Sequence, residues 1–242
     1  MKGAVWLILP TYNEAENLEP LVEALLPVLS EASPAGHRLL VVDDDSPDGT
    51  GRVADALAAR QASVEVLHRS AREGLGPAYL AGFRRALEAG AGHVVQMDAD
   101  FSHDPRDVAR LLAAGQDADL VLGSRYVAGG GVAADWHLAR RAISRAGCWY
   151  ARRLLGLGVR DLTGGFKCFR ARALEALELD TVRSAGYAFQ VELTYRAIRR
   201  GLRVVEIPIL FHERRAGYSK MSPAIALEAA WRVAHLRMVT DL

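Results

Sequence analysis

Short apolar runs alternate with segments long enough to form helices, and this alternation constrains the fold more than any other feature of the chain. Runs of four to six residues that end beside Pro, Gly or polar residues are typical of buried strands. Strands that alternate with helices favour a parallel sheet with helices on both faces, which is an α/β fold. The predicted strands are residues 4–9, 39–42, 64–67, 94–97 and 119–123.

The predicted helices fill the intervals between these strands. Asn13 is a suitable N-cap for the first helix, which is expected to run to about Leu29. After Gly123 the regular alternation ends, and residues 125–137, with three consecutive glycines, are expected to form a mobile loop. A helix from Leu138 to Leu155, a helix over 191–200 and a strand over 204–207 follow, and Pro208 places that strand at a sheet edge or bend.

The last part of the chain, from Pro223, has the pattern of an amphipathic helix. One stripe of this helix is apolar and another face carries charged residues. The stripe consists of Ile225, Ala229, Val233 and Leu236. We therefore divide the chain into a main domain, 1–222, and a C-terminal helix, 223–242, which either packs on that domain or lies against a membrane or a partner.

Two carboxylates, Asp98 and Asp100, follow the fourth apolar run at positions i and i+2. If the strand continues through them, both side chains lie on one side of it, at the carboxyl end where open α/β sheets bind ligands. Because carboxylate oxygens suit hard cations, the spacing predicts a Mg²⁺ or Mn²⁺ site that carries a diphosphate. The alternative is a strand that ends in a solvated turn before a helix that begins at Asp104-Pro105.

A second acidic stretch, from Asp43 to Thr50, follows the second strand. Its carboxylates would repel Asp98 and Asp100 if the two strand ends met without a cation. A calcium-binding EF-hand is disfavoured, because a strand rather than a helix precedes the stretch and Pro47 interrupts it. Asp43 and Asp45 after an apolar strand also resemble the nucleophile motif of haloacid-dehalogenase-like phosphatases. This interpretation is disfavoured, because Pro47 stands where those enzymes have Thr.

The charge of the chain is divided between its two halves. Residues 1–124 carry 10 basic and 19 acidic side chains, whereas residues 125–242 carry 20 basic and 10 acidic ones. The first half is suited to hold cations, and the second is suited to face phosphates, nucleic acid or a membrane surface. The two cysteines form no metal or disulfide pattern, and no apolar run is long enough to span a membrane. These features predict a cytoplasmic protein, either soluble or peripheral.

Seven short motifs follow one another between residues 4 and 222. They are Leu9-Pro10-Thr11-Tyr12-Asn13-Glu14, Val42-Asp43-Asp44-Asp45-Ser46-Pro47-Asp48-Gly49-Thr50, Gly74-Leu75-Gly76, Met97-Asp98-Ala99-Asp100, Gly123-Ser124-Arg125-Tyr126, Asp161-Leu162-Thr163-Gly164-Gly165-Phe166 and Ser219-Lys220. Their order and spacing resemble those of the polyprenol-phosphate (dolichol-phosphate) mannosyltransferases in the glycosyltransferase 2 family. The resemblance implies a GT-A fold, a Rossmann-like and mostly parallel sheet, and inverting transfer of mannose from GDP-mannose to a polyprenyl phosphate.

The resemblance also implies roles for individual residues. It assigns Pro10, Tyr12, Glu14, Val42 and Asp44 to the nucleoside, Asp98, Ala99 and Asp100 to the diphosphate and metal, and Arg125, Arg140, Arg214 and Lys220 to the donor and acceptor phosphates. Ser102 stands where some relatives have a longer metal-ligating Gln. Asp161 and Glu192 either orient the sugar or a basic side chain, or form structural salt bridges.

Two alternative functions remain open at this point. A sister enzyme would use UDP-glucose or another nucleotide sugar on the same lipid, and a catalytically inactive protein would bind the nucleotide as a scaffold. The lipid acceptor implies work at the cytosolic face of a membrane and no nucleic-acid partner. Contact with the membrane is expected through the segment from Tyr126 to Leu155, with Trp136 and Trp149, and through the C-terminal helix, with Trp231. The alternative is that a small membrane partner protein presents the lipid.

Overall fold

The computed structural model describes residues 3–133, 138–184, 186–214 and 230–237. Nine strands and seven helices have bounds in this part of the chain. The strands are β1 (Val5–Thr11), β2 (His37–Asp43), β3 (Val64–His68), β4 (His93–Gln96), β5 (Leu120–Ser124), β6 (Gly131–Val132), β7 (Lys167–Arg170), β8 (Val204–Pro208) and β9 (Leu210–Phe211). The helices are α1 (Ala15–Ala32), α2 (Thr50–Arg60), α3 (Leu75–Glu88), α4 (Asp107–Ala114), α5 (Leu138–Leu155), α6 (Ala171–Ala176) and α7 (Gly186–Arg199). Residues 230–237 are also helical.

Seven of the strands form one sheet in the order β3-β2-β1-β4-β7-β5-β8. β7 is antiparallel to both of its neighbours, and the other pairs in this sheet are parallel. The predicted α/β fold with a mostly parallel sheet is therefore confirmed. β8 ends at Pro208 and lies at the edge of the sheet. This position was predicted, because proline has no backbone N–H to donate to a neighbouring strand.

Helices cover both faces of the large sheet. Alternation along β1 directs Leu7 and Leu9 into a core shared with α1, α2 and α4, and Trp6 and Ile8 into a core shared with α3, α6 and α7. The first strand is buried on both faces, which explains its continuous apolar sequence. α3 lies so close to β1 that a Cβ added at Gly82 would be 2.5 Å from Ile8 Cγ2.

The described part of the C-terminal helix packs on the domain. Val233 and Leu236, from the predicted apolar stripe, are buried in a third cluster with Leu155 of α5 and Tyr195 of α7. The boundary at 222/223 lies outside the described residues, so the division into two units stays a prediction.

Three local predictions are wrong. The N-cap of α1 is Glu14, not Asn13, which has a φ of 60°. The Asp48 carboxylate in the loop after β2 accepts the Ala15 N–H at 3.1 Å, so the helix end takes its partner from a distant residue. β4 ends at Gln96, and Asp98 and Asp100 therefore lie in the loop after the strand.

The third wrong prediction concerns residues 125–137, which are not a loop throughout. Two of them form β6, which pairs with β9 in a small parallel sheet. β7 and α6 were not predicted at all, because β7 has only four residues, Lys at one end and Arg at the other.

Candidate active site

A central cleft lies at the carboxyl ends of β1, β2 and β4. Its cavity volume is about 320 Å³. Eight of the residues that the sequence assigned to a site line it, namely Pro10, Tyr12, Glu14, Asp44, Asp98, Ala99, Asp100 and Arg214. Segments more than 200 residues apart in the sequence thus meet in one cavity, because parallel strands present their carboxyl ends at the same edge of the sheet.

Asp98 lies on one wall of the cleft with three polar neighbours. The Tyr79 hydroxyl donates to Asp98 Oδ1 at 3.1 Å, and His103 Nε2 is 3.7 Å from Oδ2. Burial alone would raise the pKa of Asp98, but His103, the charge of Arg214 and the Tyr79 hydroxyl outweigh it and lower that pKa. Asp98 is therefore ionised at neutral pH.

Asp100 is buried and has both oxygens engaged. Its Oδ1 accepts the Ser102 backbone N–H at 3.0 Å, and its Oδ2 is 2.9 Å from Arg214 Nε. The ion pair brings a residue from the far end of the domain, Arg214, against the loop that follows β4.

Asp98 offers its oxygens to a divalent cation, and Asp100 would bind one in exchange for its contact with Arg214. The described residues provide no third ligand of a usual type. Across residues 3–133, 138–184, 186–214 and 230–237, no three His, Cys, Asp or Glu side chains converge on one point. The space beside Asp98 is open because of Gly165, where an added Cβ would lie 3.2 Å from Asp98 Oδ2. Ser102, two residues after Asp100, is fully buried, and its Oγ has no hydrogen-bond partner in the described chain. The ionised Asp98 and the open space beside it fit a hard cation that takes its other ligands from a diphosphate or water.

The opposite end of the cleft is organised by Asp44. Its carboxylate accepts the backbone N–H groups of Glu73 at 3.2 Å and Gly74 at 2.7 Å, and it pairs with the Arg69 guanidinium. One buried acid therefore joins the end of β2 to the start of α3 and fixes the width of the cleft.

An aromatic and cationic pair lies near this end. The Arg72 guanidinium carbon is 4.0 Å from the centroid of the Tyr12 ring, and both residues line the cleft. This is a cation–π contact, and it provides a flat, polar surface of the kind that suits a nucleobase. Val42, which the sequence placed at the nucleoside, lies in the core and is fully buried.

Arg125 is buried in an ion pair behind the cleft. Its side chain donates to both oxygens of Asp161 at 2.7 Å and to Thr163 Oγ1 at 2.8 Å. Burial tends to raise the pKa of Asp161, but Arg125 outweighs it and lowers that pKa. The pair fits two of the roles predicted for Asp161, orientation of a basic side chain and a structural salt bridge.

Glu192 forms the other buried ion pair. It is 2.6 Å from Arg196 Nη2, and its Oε2 accepts the Ser184 backbone N–H at 3.0 Å. Arg196 also donates to the Thr181 carbonyl at 2.9 Å. This network supports the segment before Gly186, which lines the cleft. Glu192 therefore forms a salt bridge with Arg196, as the structural alternative for this residue predicted.

The remaining predicted basic residues lie away from the cleft or outside the described residues. Arg140 on α5 pairs with Glu213 at 2.7 Å, one residue before Arg214. Lys220 and Trp136 lie outside the described residues, so their predicted roles stay predictions.

Four residues near the cleft were not identified from the sequence. Tyr79 and His103 contact Asp98, Arg72 contacts Tyr12, and Gln190 lines the cleft. The Tyr79 position was detectable as an aromatic residue one turn after Gly74-Leu75-Gly76. The others depend on long-range packing that no local pattern reports.

Lys167 is a buried lysine directly behind Gln190. Its Nζ donates to the Gln190 carbonyl at 2.7 Å and to Thr194 Oγ1 at 3.0 Å. Burial lowers its pKa to about 7.

In the described part of the chain, no helix is both long and apolar enough to cross a bilayer.

The chain is similar to known glycosyltransferases. Residues 6–178 match the family described as Glycosyl transferase family 2. The undecaprenyl-phosphate mannosyltransferase of Micrococcus luteus is 51% identical over 229 residues, which cover 95% of this chain and 92% of that protein. The polyprenol monophosphomannose synthase of Mycolicibacterium smegmatis is 49% identical over 230 residues, which cover 94% of this chain and 84% of that protein.

Solved structures show the same fold. A structure of glucosyl-3-phosphoglycerate synthase from Mycobacterium tuberculosis with Mn²⁺, UDP-glucose and phosphoglyceric acid has a TM-score of 0.73 at 18% identity, and the match covers 99% of this chain and 81% of that one. The likeness confirms the predicted GT-A fold. With the family match over most of the chain and two relatives near half identity, this protein is a glycosyltransferase that belongs to glycosyl transferase family 2, as its resemblance to the polyprenol-phosphate mannosyltransferases indicated.

Proposed function

We propose that this glycosyltransferase transfers mannose from GDP-mannose to the phosphate of a polyprenol, with inversion at the anomeric carbon. The observation that carries the proposal is the central cleft, where two carboxylates, Asp98 and Asp100, face a nucleoside-sized cavity together with Arg214. The names of the two relatives, an undecaprenyl-phosphate mannosyltransferase and a polyprenol monophosphomannose synthase, support both the sugar and the lipid acceptor.

Asp98 and Asp100 would hold a Mg²⁺ or Mn²⁺ ion in this cleft. When bound, the cation would neutralise charge on the diphosphate leaving group. The Mn²⁺ that accompanies UDP-glucose in the solved M. tuberculosis enzyme supports a divalent cation for this fold. Ser102, with a buried and unpartnered Oγ, is proposed to contribute only at close range or through water.

The nucleoside would occupy the end of the cleft formed by Pro10, Tyr12, Glu14 and Asp44, with the backbone of Val42 beneath it. Tyr12 and Arg72 offer a flat surface to the base. Ala99, between the two acids, would lie against the diphosphate because its small side chain leaves the loop open to it.

The acceptor phosphate would be positioned by arginines rather than activated by a base. A phosphate is an anion before it reacts, so catalysis would depend on its placement and on the charge that surrounds it. Arg214 faces the cleft, and Arg140 is joined to the neighbouring Glu213. Arg125, behind Thr163, would add positive potential, and Lys220 is assigned by the resemblance alone.

The polyprenol acceptor places the reaction at a membrane surface, and we propose that the protein is peripheral on the cytosolic face. Trp149 on α5 and Trp231 are both 63% exposed. Exposed indoles beside arginines suit the headgroup region of a bilayer. The alternative is a small membrane partner protein that presents the lipid.

A transfer assay tests the proposal. The purified chain is given GDP-mannose or UDP-glucose, undecaprenyl phosphate in detergent, and Mg²⁺, Mn²⁺ or EDTA, and the glycolipid is measured by mass spectrometry. We expect a mannosyl product with either metal and none with EDTA. NMR of the product should show the β-anomer from the α-linked donor.

Matched variants connect the activity to the cleft. Asp100→Asn should lower kcat at least a hundredfold with an unchanged circular dichroism spectrum, because its neighbours Ser102 and Arg214 keep a similar partner. Asp117→Asn, an exposed acid outside the cleft, is the control and should retain full activity. Full activity in Asp100→Asn at ordinary Mg²⁺ would refute the metal role.

Thermal shifts separate the remaining alternatives. A ligand that binds only the folded state raises the melting temperature. A shift with UDP and not with GDP would replace the mannosyl donor by a uridine nucleotide sugar. Binding of GDP without any transfer would instead favour an inactive scaffold.

A further inference from the structure

A second cavity, which we name the arginine pocket, lies between α5 and the loops at 125–130 and 158–163. Its volume is about 450 Å³, and its walls include Arg125, Arg145, Arg152, Arg160 and Trp149. No Asp or Glu among the described residues lines it. A cavity with four guanidinium groups and no carboxylate in its walls is suited to an anion.

The positive charge of the arginine pocket is only partly compensated. Arg125 is matched by Asp161, and the Glu206 carboxylate accepts the backbone N–H of Arg160 at 2.7 Å. The guanidinium groups of Arg145, Arg152 and Arg160 form no ion pair within the described ranges. Arg152 Nε is buried and has no hydrogen-bond partner there. A buried N–H without a partner is costly, so this atom points to a ligand that accepts from it.

The arginine pocket is separate from the central cleft. Thr163 lines the cleft, and its Oγ1 accepts a hydrogen bond from Arg125, which lines the pocket. The Arg125–Asp161 pair therefore forms a wall between the two cavities. A group bound at Arg145, Arg152 and Arg160 lies on the far side of this wall from Asp98 and Asp100.

The surroundings of the arginine pocket match a membrane surface. Trp149, at its rim, is 63% exposed. A neighbouring cavity of about 430 Å³ shares Trp149 and Arg152 and adds Arg153. Tyr150 donates to the Ala230 carbonyl at 3.2 Å, which places the C-terminal helix, with its exposed Trp231, next to this part of α5. Arginines attract anionic headgroups, and indoles settle at headgroup level.

We propose that the arginine pocket binds the phosphate of an anionic membrane phospholipid and so orients the enzyme on the bilayer. The inference rests on the proposed function, in which the acceptor is a membrane lipid, but it assigns a lipid that is not a substrate. Arg145, Arg152 and Arg160 bind the phosphodiester, and Trp149 lies beside the glycerol and the upper acyl chain.

Vesicle co-sedimentation tests the proposal. The probes are vesicles of phosphatidylglycerol mixed with phosphatidylcholine, and vesicles of phosphatidylcholine alone. The variant Arg152→Gln with Arg160→Gln is compared with Arg52→Gln with Arg183→Gln, which removes the same charge from exposed arginines outside the pocket. Because each basic residue near an anionic surface adds roughly a factor of five in affinity, the pocket variant should bind the anionic vesicles at least about tenfold more weakly. The control should stay within about twofold of the wild type.

Other outcomes would overturn the inference. Equal loss in both double variants would show general electrostatic attraction, and equal binding to both vesicle types would exclude headgroup recognition. Stabilisation of the wild type by inorganic phosphate, without vesicle binding, would assign the pocket to a free anion. If the double variant fails to fold, Arg160→Gln alone, at an exposed side chain, should still weaken binding about threefold or more.

The activity assay keeps this inference distinct from the proposed function. With a short, water-soluble prenyl phosphate, the pocket variant should retain the turnover of the wild type. Transfer without phosphatidylglycerol binding would refute the pocket and leave the function standing. Vesicle binding through the pocket without mannosyl transfer would refute the proposed function and leave the pocket standing.

Discussion

Replacing the buried Lys167 by Met should remove a pH-dependent loss of stability. Lys167 is 1% exposed, and burial lowers its pKa from 10.5 to about 7. The unfolded chain binds a proton at this group up to about pH 10, whereas the folded chain begins to release it near pH 7. Since the unfolded state binds more protons between these values, stability rises with pH across this window. The contribution of Lys167 to the free energy of unfolding is therefore lowest below pH 7.

The magnitude follows from the two pKa values. Each tenfold difference in the acid constant corresponds to about 1.4 kcal/mol, so burial of Lys167 destabilises the folded state by about 4 kcal/mol at pH 7. About half of this is recovered by pH 9. The hydrogen bonds of Nζ to the Gln190 carbonyl and Thr194 offset part of the cost. In Lys167→Met the Gln190 carbonyl still has a hydrogen-bond partner, because Thr194 Oγ1 also donates to it at 3.1 Å.

Urea unfolding at pH 7, 8 and 9 measures the effect. The free energy of unfolding of the wild type, relative to Lys167→Met, should rise by about 2 kcal/mol from pH 7 to pH 9. Ionisation of Cys148 and Cys168 in the unfolded chain affects both proteins and cancels in the difference. Thr194→Val, which loses a hydrogen bond and keeps the lysine, is the control and should retain the pH dependence. Parallel pH profiles for the wild type and Lys167→Met would refute the reasoning.

Three further variants test the groups around the cleft. Asp161→Asn leaves the buried Arg125 without its counter-charge and should lower the free energy of unfolding by about 3–5 kcal/mol in urea; a loss below 1 kcal/mol would contradict this. His103→Leu should raise the pKa of Asp98, followed by carboxyl NMR, because His103 is the main group that opposes the effect of burial; an unchanged pKa would remove His103 from the site. Asp48→Ala should cost about 1 kcal/mol at pH 7 through loss of a helix cap. Burial tends to raise the pKa of Asp48, but its hydrogen bonds with Thr50 and Ala15 outweigh burial and lower that pKa, so the cost should shrink as the pH falls through the lowered pKa. A cost independent of pH would contradict the role of the charge.

The sequence predicted the parts of the fold that depend on local pattern. α5 begins and ends at the predicted residues, Leu138 and Leu155, and the first five strands lie where apolar runs predicted them. These elements bury a continuous or periodic set of apolar side chains, which a local pattern records directly. β7 bonds to strands on both sides and was missed, because pairing supplies its stability and its four residues carry no strand pattern.

The site was predictable where a residue type is unusual for its position in the sequence. Asp98 and Asp100 were identified because two acids after an apolar run need an explanation, and both line the cleft although the strand ends before them. His103 and Lys167 were not identified, because a single His or Lys is expected at the surface. Only the packed structure shows that these two are buried beside the cleft.

Several buried charges of this protein lie around the cleft, whereas Asp107 and Asp119 are buried outside its lining, in ion pairs with Arg110 and Arg172. Three of those around the cleft contact a residue in or next to its wall: Lys167 bonds to Gln190, Arg125 to Thr163, and Glu192 to Ser184, two residues before Gly186. Buried ion pairs add little stability compared with apolar side chains of similar size, and Lys167 reduces it. The positions of these three residues are therefore explained by the cleft, whose walls they hold in place through charged hydrogen bonds. Departures from the usual rules of burial are expected where a fold positions its chemistry, and in this glycosyltransferase Lys167, Arg125 and Glu192 support the walls of the cleft that contains Asp98 and Asp100.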